Sequence, residues 1–168
     1  MKDEIINRVA NSTLVTINLE DFYPEGQRIL FDIKDWLYEG LVLREKEFRQ
    51  EVNSHDWKQY QDNYVALTCS TDAIIPAWAY MLLSTQLEPY AVKVAIGNLD
   101  LLETSIYQDI INKLDVSEFK DKPIIIKGCS NKPVPTNAYV MLTSVLKPLA
   151  KSIMYGEACS SVPLFKRK

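Results

Sequence analysis

Apolar positions along the chain fall into short runs and 3.6-residue stripes, and their order predicts the elements. A short helix around Ile5, Ile6 and Val9 ends at Asn11-Ser12, and two strand-like runs follow at 13–18 and 28–33. Pro24-Glu25-Gly26 between them has the composition of a hairpin turn. A charged helical stretch over about 44–53 carries Phe48 and Val52 as its apolar i,i+4 pair.

From residue 63 an apolar run is followed repeatedly by a longer stripe of helical period. Residues 63–68 read as a strand, and Thr71 or Asp72 then caps a helix with Ile75, Trp78, Ala79 and Leu82 on one face. Residues 90–96 are the next strand, and Asn98 precedes a helix striped by Leu102, Ile106, Ile110 and Leu114. The run 123–127 is almost wholly apolar, as a buried parallel strand should be. A helix from about Thr136 turns Leu142, Val145 and Leu149 inward and kinks or ends at Pro148. Residues 152–155 form a last short strand. Alternation of strands with helices predicts an α/β fold: a mixed, largely parallel sheet, helices on one or both faces, and an antiparallel N-terminal flank. No internal repeat, low-complexity segment or linker is apparent.

At 168 residues with 47% hydrophobic content, residues 1–168 are expected to form a single α/β domain. A net charge of −3 over mixed-sign surfaces gives no electrostatic grip on nucleic acid, and the aromatics lack the interleaved basic residues of a base-stacking platform. No apolar run reaches a membrane span, and the acidic start, Met1 to Glu4, is unlike a signal peptide, so a cytoplasmic protein without membrane contact is expected. The five glycines compose neither a Walker loop nor a dinucleotide fingerprint. A single histidine excludes multi-histidine metal motifs, no nucleophile elbow accompanies it, and no arginine-clamped thiol loop is present.

The chemistry left concentrates in three Cys-Ser dipeptides, at Cys69, Cys129 and Cys159. Each falls beyond the C-terminal end of an expected strand, and in one parallel sheet those ends share the edge where ligands bind. Three thiolates there would hold zinc or an iron–sulfur cluster, with Asp72 or, behind it, His55 completing the site. His55 precedes its strand by eight residues and belongs nearer the opposite edge, where it caps the preceding helix; the simplest role of Asp72 is helix N-cap. Two further readings stand beside the metal site. One is a thiol enzyme or sulfur carrier using Cys69 at a helix N-terminus. The other is an interaction or scaffold protein, including a homo-oligomer, whose cysteines are simply buried.

The segments YVALTCSTDAIIPAWAY at 64–80, KGCSNKPVP at 127–135, YGEACSSVPLFK at 155–166 and INRVANSTLVTINLEDFYP near the start resemble the bacterial family catalogued as domain of unknown function 2480. The resemblance spans nearly the whole chain and carries no catalytic residue with it. It implies association with iron–sulfur assembly proteins, which favours the cluster or zinc reading of the three cysteines.

Overall fold

Why the strands pair as they do follows from which runs are apolar throughout. In the computed structural model, which describes residues 13–128 and 131–168, Tyr64–Thr68 (β3) and Pro123–Ile126 (β5) are the most buried strands. Each is central to its own parallel set, covered on both faces, which is why neither alternates. Around β3 lie Arg28–Asp32 (β2) and Lys93–Ile96 (β4), in the order β2-β3-β4, all parallel. Around β5 lie Val15–Ile17 (β1) and Ser152–Glu157 (β6), also parallel, and Ser160–Lys166 (β7) adds antiparallel to β6. Four α-helices complete the class: Glu45–Ser54 (α1), Ala77–Leu87 (α2), Leu99–Lys113 (α3) and Thr136–Leu146 (α4). The protein is α/β with two sheets, one all parallel and one mixed and largely parallel. The expected first helix around Ile5 lies outside the described residues.

Two expectations are corrected. The runs at 13–18 and 28–33 do not form a hairpin, because each is the first strand of a different parallel sheet: Val15 registers with Ile124 and Arg28 with Tyr64. The Pro24-Glu25-Gly26 turn is instead held by Arg28, whose guanidinium donates to the carbonyls of Pro24 (2.9 Å) and Gly26 (2.6 Å). The second correction concerns repetition. Contacts divide the chain into two compact units, residues 24–106 and residues 13–23 with 107–168, and the two are built alike.

Equivalent residues lie 59 positions apart without a gap: Asp56 and Asp115, Asp62 and Asp121, Pro76 and Pro135, Leu83 and Leu142, Pro89 and Pro148, Gly97 and Gly156. The backbone repeats in the same register. Asp62 and Asp121 are both left-handed, with φ of 60° and 58°, and their N–H groups donate to Tyr90 and Leu149. Pro76 and Pro135 precede α2 and α4 with nearly identical dihedrals, and both helices stop short of Pro89 and Pro148. Ala79, Leu83 and Leu87 in one unit, and Ala138, Leu142 and Leu146 in the other, are fully buried at i,i+4 spacing. Both cores also place the last strand's glycine at positive φ, where a Cβ at Gly97 would strike Leu101 and one at Gly156 the Ser160 carbonyl.

Each unit is therefore β-α-β-α-β with three parallel strands in sequential order. The first strands correspond too, at a spacing of 14: Asn18 and Asp32 each accept a hydrogen bond two residues on, opening a 3-10 turn. The 24–106 unit is thus inserted after the first strand of the other.

Candidate functional site

In the 24–106 unit, the segment after β3 begins with Cys69 and is fastened at both sides. The carboxylate of Asp32, the last residue of β2, accepts the backbone N–H groups of Ser70 and Lys34, each at 3.1 Å. Burial raises the Asp32 carboxyl, but hydrogen bonds from Ser70 and Lys34 and the Lys34 charge outweigh it and leave it below the usual range. On the other side Thr71 donates its hydroxyl to the Gly40 carbonyl at 2.8 Å and stands 3.3 Å from Cys69 Sγ. In the other unit Glu20, just past β1, accepts the backbone N–H groups of Asn131 and Lys132, which follow β5.

Beside this anchored segment, α2 and the outer part of β4 bound an open, largely apolar groove of about 490 Å³. Tyr80, Met81, Ser84 and Thr85 form its helical wall and Ala95 and Ile96 its strand wall. Burial raises the Tyr80 hydroxyl pKa, with lesser contributions from Cys69 and Asp32. Met81 on the helical wall and Ile96 on the strand wall keep 66% and 61% of their surface open to water. The repeat supplies a matching groove of about 260 Å³ between α4 and β6, lined by Tyr139, Val140, Thr143, Ser144 and Tyr155, with Leu164 of β7 as an added wall.

The residues expected to bind metal are distributed otherwise than on one sheet edge. Cys69 follows β3 as expected, half-buried against the core of its unit. Cys159 is exposed in the two-residue turn between β6 and β7, in the other sheet, and so is not a strand-to-helix position at all. Cys129 lies outside the described residues. The repeat explains why the dipeptides misled: Cys69 matches Gly128, Ser70 matches Cys129, and Cys159 sits in a hairpin that the 24–106 unit lacks. Asp72 is exposed and caps nothing, since α2 starts at Ala77 after Pro76 with no side-chain cap. Cys69 accordingly stands eight residues before the helix instead of at its N-terminus.

His55 does cap α1 through its backbone, donating to Glu51, but its ring is committed elsewhere. Nε2 meets the Tyr60 hydroxyl at 2.8 Å, and the ring packs among Phe31, Trp36 and Trp57. Burial holds the His55 pKa below its ordinary value against the charges of Asp56 and Glu51, while burial and then Asp56 push Tyr60 up to about 12. Among the described residues no group of three or more His, Cys, Asp or Glu side chains is arranged to hold a metal ion. Cys69 Sγ meets Thr71 and, among the described residues, no base of the kind nucleophilic catalysis requires. The groove residues Met81 and Ile96 carry no signal in the sequence, because their positions read simply as the outer face of a helix and the end of a strand.

Fold and site together define a class: a duplicated α/β protein with an anchored segment after each central strand and an apolar groove beside each last parallel strand. The chain belongs to the family described as Protein of unknown function (DUF2480), whose family model matches residues 3–167. No curated protein and no solved structure matches it. Among the described residues no helix is long and apolar enough to cross a membrane.

Proposed function

We propose that the protein is a non-catalytic interaction module that binds an apolar segment of a partner in the groove between α2 and β4. The observation that carries this reading is the pair Met81 and Ile96, which hold apolar surface open to water across a formed cleft. An exposed patch of this kind costs solubility, and the usual compensation is a partner that covers it. Leu67 of β3 lines the groove as well, and the segment that follows β3 is fastened by Asp32 and Gly40, with Cys69 contributing packing and a contact to Thr71. Metal binding gains no support from the described residues, and the groove needs none.

The test is binding of Nile red, followed by fluorescence, to the unaltered protein and to Met81→Lys/Ile96→Lys, with Val140→Lys to account for the second groove. Both positions are solvent-exposed, so the fold, checked by near-ultraviolet circular dichroism, should survive. The double substitution is expected to weaken the tighter dye site by roughly tenfold or more. Dye binding left unchanged by it would sink the proposal.

A further inference from the structure

The two units differ at the outer edge of the last parallel strand. In the unit containing β6, the chain turns back at Ala158-Cys159 and β7 runs antiparallel along the outer edge of β6. Ile153 of β6 faces Phe165, the Arg167 N–H donates to the Lys151 carbonyl at 2.9 Å, Phe165 packs on the core, and Leu164 lines the α4 groove. In the 24–106 unit the equivalent strand is β4, at the same spacing of 59. After Gly97 the chain enters α3 instead of a hairpin, so among the described residues β4 pairs with β3 alone.

Its outer edge is aligned to receive a strand. The Gly97 N–H donates to the Leu67 carbonyl at 2.8 Å, so by alternation Val94 and Ile96 direct their backbone groups away from β3, as Ile153 does in the repeat. Val92, Met81 and Ile96 are exposed along this border, and β4 contains no proline or bulge, its one charged residue being Lys93 at the start.

We infer that the outer edge of β4 is completed by an extended segment of a partner protein, added antiparallel as β7 is added to β6. The segment carries two consecutive bulky apolar residues, one entering the groove beside Tyr80 and Met81 as Leu164 does and the next packing over the sheet as Phe165 does. Backbone hydrogen bonds to Val94 and Ile96 give affinity, and the apolar pair gives specificity. This deepens the interaction-module reading and rests on it.

The probe is a synthetic peptide with the sequence of residues 160–168, SSVPLFKRK. Saturable binding is expected, with slowed amide hydrogen exchange at Val94 and Ile96. Replacing Leu and Phe of the peptide by Ala is expected to weaken binding by roughly tenfold or more, and Ile96→Lys in the protein to do the same. No binding up to about 1 mM peptide would overturn the inference. So would binding that leaves the β4 amides unprotected, or equal affinity for the Ala peptide. A concentration-dependent dimer that protects the same amides without peptide would assign the edge to a second copy and equally overturn it. Nile red binding that responds to Met81→Lys/Ile96→Lys while the peptide fails would leave the interaction module standing and remove only the strand.

Discussion

Glu103 is a buried charged side chain on α3, only 5% exposed, and its Oε1 accepts from Arg28 Nε at 2.5 Å. Arg28 begins β2, lies 4.6 Å over the Tyr64 ring, and holds the Pro24 and Gly26 carbonyls, so one guanidinium joins the turn, the sheet and the helix. Glu103→Gln removes the countercharge and leaves a cation that is out of water. Breaking one side of a buried pair typically costs about 3–5 kcal/mol, mostly the penalty of the abandoned charge. The two carbonyls and the Tyr64 ring still solvate Arg28, which puts the expected loss near the lower end, about 3 kcal/mol.

The assay is urea denaturation followed by tryptophan fluorescence. Trp36, Trp57 and Trp78 are the chain's only tryptophans and all belong to the 24–106 unit, so the signal reports that unit. Arg28→Met/Glu103→Leu, which removes both charges but also the donor to the Pro24 and Gly26 carbonyls, is expected to recover part of the loss. A Glu103→Gln change below about 0.5 kcal/mol, or a double variant as weak as the single one, would refute the reasoning.

His55 is expected to make the same tryptophan-reported unit pH-sensitive. Because its folded pKa is depressed, the unfolded chain binds the proton first, and stability should decline as pH falls below the unfolded value of about 6.5; a urea midpoint unchanged between neutral pH and mildly acidic pH, or an identical decline in His55→Gln, would contradict this. Alkylation by iodoacetamide, read by mass spectrometry, should modify exposed Cys159 well before half-buried Cys69; the reverse order would revive the thiol-enzyme reading of Cys69. Protein purified without oxygen should carry less than about a tenth of an equivalent of zinc or iron, and a stoichiometric metal lost in Cys69→Ala would restore the metal reading.

Much of the fold was legible residue by residue. The apolar runs at β3 and β5, the i,i+4 pair of α1, the helix after Asn98 and the stop at Pro148 all stand where pattern and propensity place them, because these signals act within a few residues. Pairing was another matter. Nothing local tells β1 to choose β5 over β2, since the choice depends on burying Ile17 and Leu19 with Ile124 and Ile126 in one core. The hairpin β6-β7 was half seen, because β7 mixes Pro163 with exposed positions and lacks clean alternation.

Local sequence thus determined the element types, the absence of the familiar phosphate and multi-histidine motifs, and the three Cys-Ser dipeptides as the conspicuous chemistry. Tertiary structure alone decided that Cys69 and Cys159 belong to different sheets. The equivalent positions Leu83 with Leu142 and Phe48 with Tyr107 are buried in the cores of their own units, where each fills the same place, while most surface positions differ between the two stretches and hide the repeat. Alignment of those cores puts Cys69 and Cys129 one residue out of register and leaves Cys159 without a counterpart. It also marks β4 as a last parallel strand that, among the described residues, has no counterpart of β7, a difference that emerges only when the two units are compared.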